Sequence, residues 1–379
     1  LSLLLNDEQA MLRDSVRDFL SEEAPVCHLR HLRDSNDPLG LSLILWKKFA
    51  HLGYSGVLVE ETQGGLDLGN IEVAVILEEV GRVLVPSPFF ASGVLAASAL
   101  RLGGNQTQKS LYLSSITSGE KLFALALDES AKHAPLNISL RATGHLGGFV
   151  LDGSKTFVVD GNVADHLIVV ARTSGESREA DGLSLFIVKK ATQGIHIVRS
   201  SMVDSHNAAL VTFDGVMVDA GAVLGVPERG WTLLSQVLDI GRNAVAAELL
   251  GVALEVFERT VAYLKERVQF GRRIGEFQAL QHRAARMFCE IELLRAAILK
   301  AALALNEGGE ISQLFVSVAK AKAGSVAKLC VEEAIQMHGG MGLTDEMELG
   351  FFLKRARVLN ELLGDDRFHA DRVASLNGY

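Results

Sequence analysis

Read for the spacing of its apolar residues, the chain changes character twice. Leu12, Val16, Phe19 and Leu20 recur at helical spacing after Asn6 and Gln9, an Asn placed three residues ahead of a Gln, which predicts a capped helix start. Further amphipathic runs over 41–52, 71–83 and 89–100 are separated by Gly-containing turns at 63–65 and 103–105. From about residue 122 the period shortens. Apolar, β-prone runs at 122–127, 149–151, 156–159, 167–170, 183–188, 195–198 and 209–213 are punctuated by Gly, Asp, Asn and Ser, which predicts an all-β segment with 174–181 as its exposed loop. After Pro227 helical spacing returns over 231–267, 277–306 and 311–337, and the short Gly-containing joints at 271–275 and 308–309 predict an antiparallel bundle. The expected fold class is α+β and multidomain: an N-terminal helical bundle (1–121), a middle β-barrel or sandwich (122–226) and a C-terminal four-helix bundle (227–379).

One run, 83–100, is uncharged and as long as a membrane span. Pro86 and Pro88 interrupt it and Ser92, Gly93 and Ser98 dilute the rest, so it is expected to be a buried core helix, with no membrane span in the chain. Composition narrows the function classes. With 48% hydrophobic and 22% charged residues, the 379 residues have enough apolar material for a large core. The 46 acidic residues outnumber 37 Lys and Arg, for a formal charge of -9, and no basic stripe points to nucleic acid. Cys27, Cys289 and Cys330 are far apart and form no CxxC pair, which fits a reducing compartment and argues against a structural zinc. No basic segment precedes the first apolar residues at Leu1, so no secretory signal is expected. The expected location is the cytoplasm, with the mitochondrial matrix as the alternative.

Two segments of the last third carry more specific information. RVQFGRRIGEFQALQ (267–281) lies where one long helix gives way to the next, and IQMHGGMGLTDE (335–346) closes another. Taken alone, Arg267 offers a guanidinium for a phosphate or simply complements a helix dipole, and Gly339 and Gly340 open the backbone to a ligand or simply cap a helix. Together with LGYSGVLVEETQGG from Leu52, FVLDGSKTFVVDG from Phe149 and the α-β-α order, these segments resemble the acyl-CoA dehydrogenase flavoprotein family over essentially the whole chain. The resemblance implies FAD as cofactor, an acyl-CoA substrate, an electron-transfer flavoprotein as acceptor and a homo-oligomer or mixed tetramer. It implies that Arg267, Phe270 and Gln278 reach the FAD of a neighbouring subunit, and that Gln336, Gly339 and Gly340 hold its adenosine and diphosphate end. Phe157 and Val159 take the positions that face the flavin ring, where Val159 replaces the usual hydroxyl residue. The family's Thr-Glu-Pro turn is reduced to a stretch containing Asp128 and Glu129.

The chemistry that the resemblance implies is removal of an α proton by a carboxylate while flavin N5 takes a hydride from the β carbon. The position of the usual glutamate holds Leu363, with Asp365 in place of the adenine-side Thr, and the alternative base position holds Gly241. Glu248, seven residues on, is the only charged residue between Arg242 and Glu255, and is the candidate catalytic base; Glu361 is a weaker one. Glu248 is otherwise part of a polar stripe with Glu255, or pairs with an Arg across the bundle. Two alternatives to an active dehydrogenase follow: a catalytically silent subunit of a mixed tetramer, and a flavin monooxygenase or oxidase on the same fold. The LLGDDRFHADR ending is similar to family members acting on bulky steroid-type acyl-CoA. Cys27, His28 and His31 lack a fourth metal ligand and are expected at a surface helix end, so no metal site is expected. His338 is expected to shape the cofactor loop, and His282 and Arg283 to be structural. No nucleophilic triad, P-loop or dinucleotide fingerprint occurs in a suitable context.

Overall fold

The computed structural model describes residues 4–379; residues 1–3, and the expectation drawn from the chain start at Leu1, lie outside the described residues. The helices are α1 (Asp7–Glu23), α2 (Val26–Asp34), α3 (Leu43–His51), α4 (Asn70–Val83), α5 (Ala97–Gly103), α6 (Gln106–Thr117), α7 (Gly230–Glu266), α8 (Gln278–Glu307), α9 (Ile311–His338), α10 (Leu349–Glu361) and α11 (Asp366–Leu376). The strands are β1 (Phe123–Ala126), β2 (Arg141–His145), β3 (Gly148–Val159), β4 (His166–Arg172), β5 (Leu183–Lys189), β6 (Ile195–Ser201), β7 (Asn207–Asp219), β8 (Val223–Leu224), β9 (Val268–Gln269) and β10 (Arg272–Arg273). They form two compact units, one drawn from the residues up to His31, from Asn70–Val85 and from Arg242–Tyr379, the other from Leu32–Gly69 and Pro86–Gly241.

The first unit is helical. At the start of α1 the Gln9 N–H donates to Asn6 Oδ1 at 2.8 Å and the Asn6 N–H to Gln9 Oε1 at 3.0 Å, the reciprocal cap that the Asn-to-Gln spacing predicts. Val16 and Leu20, one turn apart, form its buried stripe. The long helix α9 buries Val316, Ala319, Ala323, Ala327, Cys330 and Ala334, and this column of mostly small side chains lets α8, α10 and α11 pack closely on it. Helices α4 and α7 meet backbone to backbone: a Cβ on Gly81 would lie 2.2 Å from the Glu248 carbonyl oxygen, and one on Gly251 would lie 1.9 Å from that of Glu78. Around this crossing Glu79 is bound by Arg17 at 2.7 Å and Glu78 by Arg295 at 3.1 Å; desolvation is the largest influence on Glu78 and raises its pKa.

The second unit is built on an eight-stranded mixed sheet in the order β6-β7-β3-β2-β4-β5-β8, with β1 parallel to β4. Its core includes Leu151, Val158, Leu167, Val169, Phe186 and Val211. The runs 149–151 and 156–159 are one strand, β3, and not two: Asp152, Gly153 and Ser154 are exposed and break the apolar pattern without ending the strand. Its register against β7 shifts between Lys155 and Val158, so Phe157 leaves the ladder with φ +52°. Arg172 is 1% exposed and holds the loops around β4 through their backbone, donating to the carbonyls of Ile138 (3.2 Å), Asp181 (2.9 Å) and Glu179 (2.9 Å). The 89–100 run is a π-helical segment, Phe89–Ala96, leading into α5, and each of its residues is buried. Among the described residues no helix is long and apolar enough to cross a membrane.

Candidate functional site

The 267–281 segment folds as the hairpin β9–β10 followed by the first turn of α8. Arg267 N–H continues the α7 ladder to Tyr263 O at 2.9 Å, and Ile274 N–H closes the hairpin on Arg267 O at 2.9 Å. At the tip Phe270 is 90% exposed and holds φ +55°, a left-handed backbone that costs a residue with a Cβ about 1 kcal/mol. Tyr263 stacks on His338 with ring centroids 4.2 Å apart, so the base of this hairpin meets the end of α9, where the second motif begins. The periodicity of the chain did not single out Tyr263; an aromatic one helical turn before Arg267 was the available signal. His338 donates from Nδ1 to Ala334 O at 2.7 Å, and burial lowers its pKa, so its buried Nε2 is an acceptor without a partner beside Gly339 and Gly340.

Gly339 has φ +61° and ψ -140°, a region close to glycine-only, and nothing lies within 4 Å of a Cβ built on Gly339 or Gly340. Arg267, Phe270, Gln278, Gln336 and both glycines are exposed, all on the first unit. His282 is exposed, and Arg283 is ion-paired with Glu333.

In the second unit Phe157 is half-buried at the β3 bulge and Val159 is half-buried two residues on, without a hydroxyl to offer. The degenerate turn keeps its shape through a carboxylate. Glu129 accepts from the N–H groups of Ser139 (2.6 Å) and Leu140 (3.0 Å) and from Lys155 Nζ at 2.7 Å. Lys155 is fully buried, and desolvation pushes its pKa down to about 8 against the opposing pull of Glu129. Thr156 N–H donates to Asp128 O at 2.8 Å, tying the turn to the residue before Phe157.

The chemistry-bearing positions at the end of α10 lie in the first unit. Leu363 is 5% exposed with φ +58°, followed by Gly364 at φ +107°. Its N–H has no acceptor among the described residues, whereas the neighbouring Leu362 and Gly364 N–H groups are bonded to Val358 O and Glu361 O. A backbone donor without a protein partner on so buried a residue is uncommon. Glu248 is 2% exposed and is not a lone carboxylate: Arg355 of α10 donates to it through Nε at 2.8 Å and through Nη2 at 2.7 Å. Of the two expectations for its surroundings, pairing across the bundle is the one observed; Glu255 pairs separately with Arg259 at 2.8 Å. Gly241 is buried, Glu361 is exposed, and Asp365 caps α11 by accepting from Phe368 N–H at 2.7 Å. Cys27 is exposed on α2, and among the described residues no group of three or more His, Cys, Asp or Glu is arranged to hold a metal.

Family models match three consecutive stretches: the acyl-CoA dehydrogenase N-terminal domain over residues 6–120, its middle domain over 129–216 and its C-terminal domain over 228–376. The chain belongs to the acyl-CoA dehydrogenase family. It is 31% identical over 362 residues to a probable acyl-CoA dehydrogenase, YngJ, of Bacillus subtilis, covering 94% of each chain. Among solved structures, an acyl-CoA dehydrogenase from Geobacillus kaustophilus superposes with TM-score 0.90 at 28% identity over 99% of each chain. A variant of the steroid ACAD Tcur3481-Tcur3483 superposes with TM-score 0.88 at 29% identity over 98% of each chain. Acyl-CoA dehydrogenases are FAD-dependent oxidoreductases, and the residues of this chain fit that cofactor. The open backbone at Gly339 and Gly340 lets a diphosphate approach, the unpartnered His338 Nε2 can accept from a hydroxyl, and Phe157 and Phe270 are aromatic faces held out by left-handed backbone. The fit is incomplete at Val159.

Proposed function

We propose that this chain catalyses the FAD-dependent α,β-dehydrogenation of an acyl-CoA thioester to the 2-enoyl-CoA, as part of an oligomer that delivers its electrons to an electron-transfer flavoprotein. Bound FAD supplies the hydride acceptor. Phe157 and Val159 would lie against the flavin ring, and Arg267, Phe270, Gln278, Gln336, Gly339 and Gly340 would hold the cofactor. The exposure of these last six residues supports a site completed by a second subunit. The unpartnered N–H of Leu363 donates to the thioester carbonyl oxygen and stabilises the enolate that develops there. Glu248 takes the α proton; Arg355 at 2.7 Å stabilises the carboxylate form that a base requires. The observation that carries the reading is the Leu363 N–H, a donor without a partner on a buried residue, at the position that the resemblance implies for the catalytic glutamate.

The Glu248–Arg355 pair also favours a second reading, in which the carboxylate is structural and the chain is the silent partner in a mixed tetramer with a paralogue. Purified protein examined anaerobically with butyryl-, isovaleryl- and octanoyl-CoA separates the two. Loss of the yellow flavin absorbance with formation of enoyl-CoA supports the first, and a yellow protein that never bleaches without its paralogue supports the second. A colourless preparation that FAD does not reconstitute, alone or with the paralogue, refutes both.

A further inference from the structure

The carbonyls around Leu363 are held from three sides. Lys320 of α9 donates from Nζ to Asn360 O and to Gly364 O, both at 2.9 Å. Arg242 of α7 donates from Nε to Leu363 O at 3.2 Å, and the same oxygen lies 3.1 Å from His369 Nε2 of α11. A carbonyl can only accept, so His369 carries its proton on Nε2, and its buried Nδ1 has no partner. Lys320 and His369 are 0% exposed and Arg242 is 2% exposed. Their environment explains their ionisation states. Burial, reinforced by Arg242, pushes Lys320 down to about 7 against the pull of Glu361, Asp365 and Asp366. Burial, Arg242, Lys320 and Arg372 together push His369 down to about 2, opposed by its hydrogen bond to Leu363.

A helix end leaves its last carbonyls without intrahelical partners, and exposed loops satisfy them with water. Here buried side chains from three helices satisfy one such carbonyl, that of Asn360, and the carbonyls of Leu363 and Gly364 just beyond the helix end, where Leu363 is already strained by its left-handed backbone. Such over-determination is found where a backbone group must be held still. We propose that Arg242, Lys320 and His369 are positioning residues: a clamp that fixes the Leu363–Gly364 peptide and the Asn360 and Gly364 carbonyls on either side of it, and so holds Leu363 from both flanks with its N–H directed at the substrate's thioester oxygen. This rests on the acyl-CoA reading of the site. It assigns the orientation of the donor to side chains that never touch the substrate.

The test reads carbonyl polarisation without turnover. Octanoyl-CoA labelled with 13C at the thioester carbonyl is bound to the FAD-loaded protein after its flavin has been reduced with dithionite, so that no hydride acceptor is present, and its C=O stretch is followed by infrared difference spectroscopy. In the wild type the stretch is expected to move to lower frequency on binding. His369→Leu, which removes the Nε2 donor, is expected to lose at least half of that shift while octanoyl-CoA affinity stays within about twofold; His369→Asn, which keeps an N–H, is expected to retain most of it. If the leucine variant does not fold, Lys320→Met is judged by the same criterion. A full shift in the leucine or methionine variant overturns the clamp, and so does an equal loss in the leucine and asparagine variants. A wild type that binds octanoyl-CoA without a shift, yet bleaches with it when its flavin is oxidised, overturns the clamp and leaves the dehydrogenase reading standing. A wild type that binds no acyl-CoA removes that reading and the clamp with it.

Discussion

Removing Glu248 separates two physical roles that predict different patterns of loss. Its carboxylate and the Arg355 guanidinium are 2% and 12% exposed and 2.7 Å apart, so replacing either partner alone breaks a buried ion pair. Breaking a buried pair in this way costs about 3 to 5 kcal/mol, a large part of the roughly 5 to 15 kcal/mol by which folded domains are stable. Replacing both partners by apolar residues of similar volume is neutral or stabilising by about 1 to 4 kcal/mol. The design is therefore Glu248→Leu, Arg355→Met and the double variant, with urea unfolding for stability and anaerobic flavin bleaching by octanoyl-CoA for chemistry. Each single variant should lose stability and the double variant should recover it. If Glu248 is the base, both Glu248→Leu and the stable double variant lose about 10²- to 10⁴-fold in bleaching rate, the usual contribution of general acid–base catalysis. A double variant that bleaches at the wild-type rate refutes the base assignment. Single variants that each cost under about 1 kcal/mol refute the treatment of the pair as a buried one.

Three further outcomes follow from buried groups. Stability should depend on pH through His369 and Lys320. His369 drops from 6.5 to about 2 on folding, so the unfolded chain binds the extra proton between those values and stability falls as pH is lowered below 6.5; Lys320 drops from 10.5 to about 7, so stability rises as pH increases from about 7. Each slope is at most about 1.4 kcal/mol per pH unit, and urea midpoints across pH should show the acid arm flattened in His369→Asn and the alkaline arm flattened in Lys320→Met. Arg172→Met should cost on the order of 1 to 3 kcal/mol by leaving the buried Ile138 carbonyl unpaired, and limited proteolysis should cut first in the 174–181 loop, whose Glu179 and Asp181 carbonyls Arg172 holds. Leu363→Glu places a carboxylate in the position that we propose for the family's catalytic glutamate, and should raise the bleaching rate of the chain assayed without any paralogue; an unchanged rate would count against that loop facing the substrate.

Helix α1 was legible because Leu12, Val16 and Leu20 repeat with the helical period, and α9 because its column of small residues does; α7, buried on all sides from Val237 to Leu254, was legible from the length of its apolar run. The capping box at Asn6 and Gln9 was legible because its two hydrogen bonds are local. The short strands β2, β8, β9 and β10 and the helices α2, α6, α10 and α11 were not singled out: two-residue strands such as β8, β9 and β10 carry no period, β2 (RATGH) buries only Ala142, and α6 is almost evenly mixed in its polarity. The candidate site divides on the same principle. Arg267, Phe270, Gly339 and Gly340 stand out because the segments that contain them are distinctive over a few residues. The partner of Glu248 is 107 residues away, and nothing local to NAVAAELLGVAL reveals it. Lys320 reads in sequence as one more polar residue of AKAKAG, and only the fold turns it inward onto Asn360 and Gly364.

The crossing of α4 and α7 at Gly81 and Gly251 limits how this chain can change. With no side chains between the two backbones, neither helix has slack to slide or rotate on the other. Each α-helical residue advances the chain by about 100° around the axis, so one residue inserted between Glu248 and Gly251 would turn either Glu248 away from Arg355 or Gly251 away from Glu78. Because every residue from Arg242 to Gly251 is also buried, this stretch of α7 is closed to a change in length and constrained in side-chain volume on all its faces.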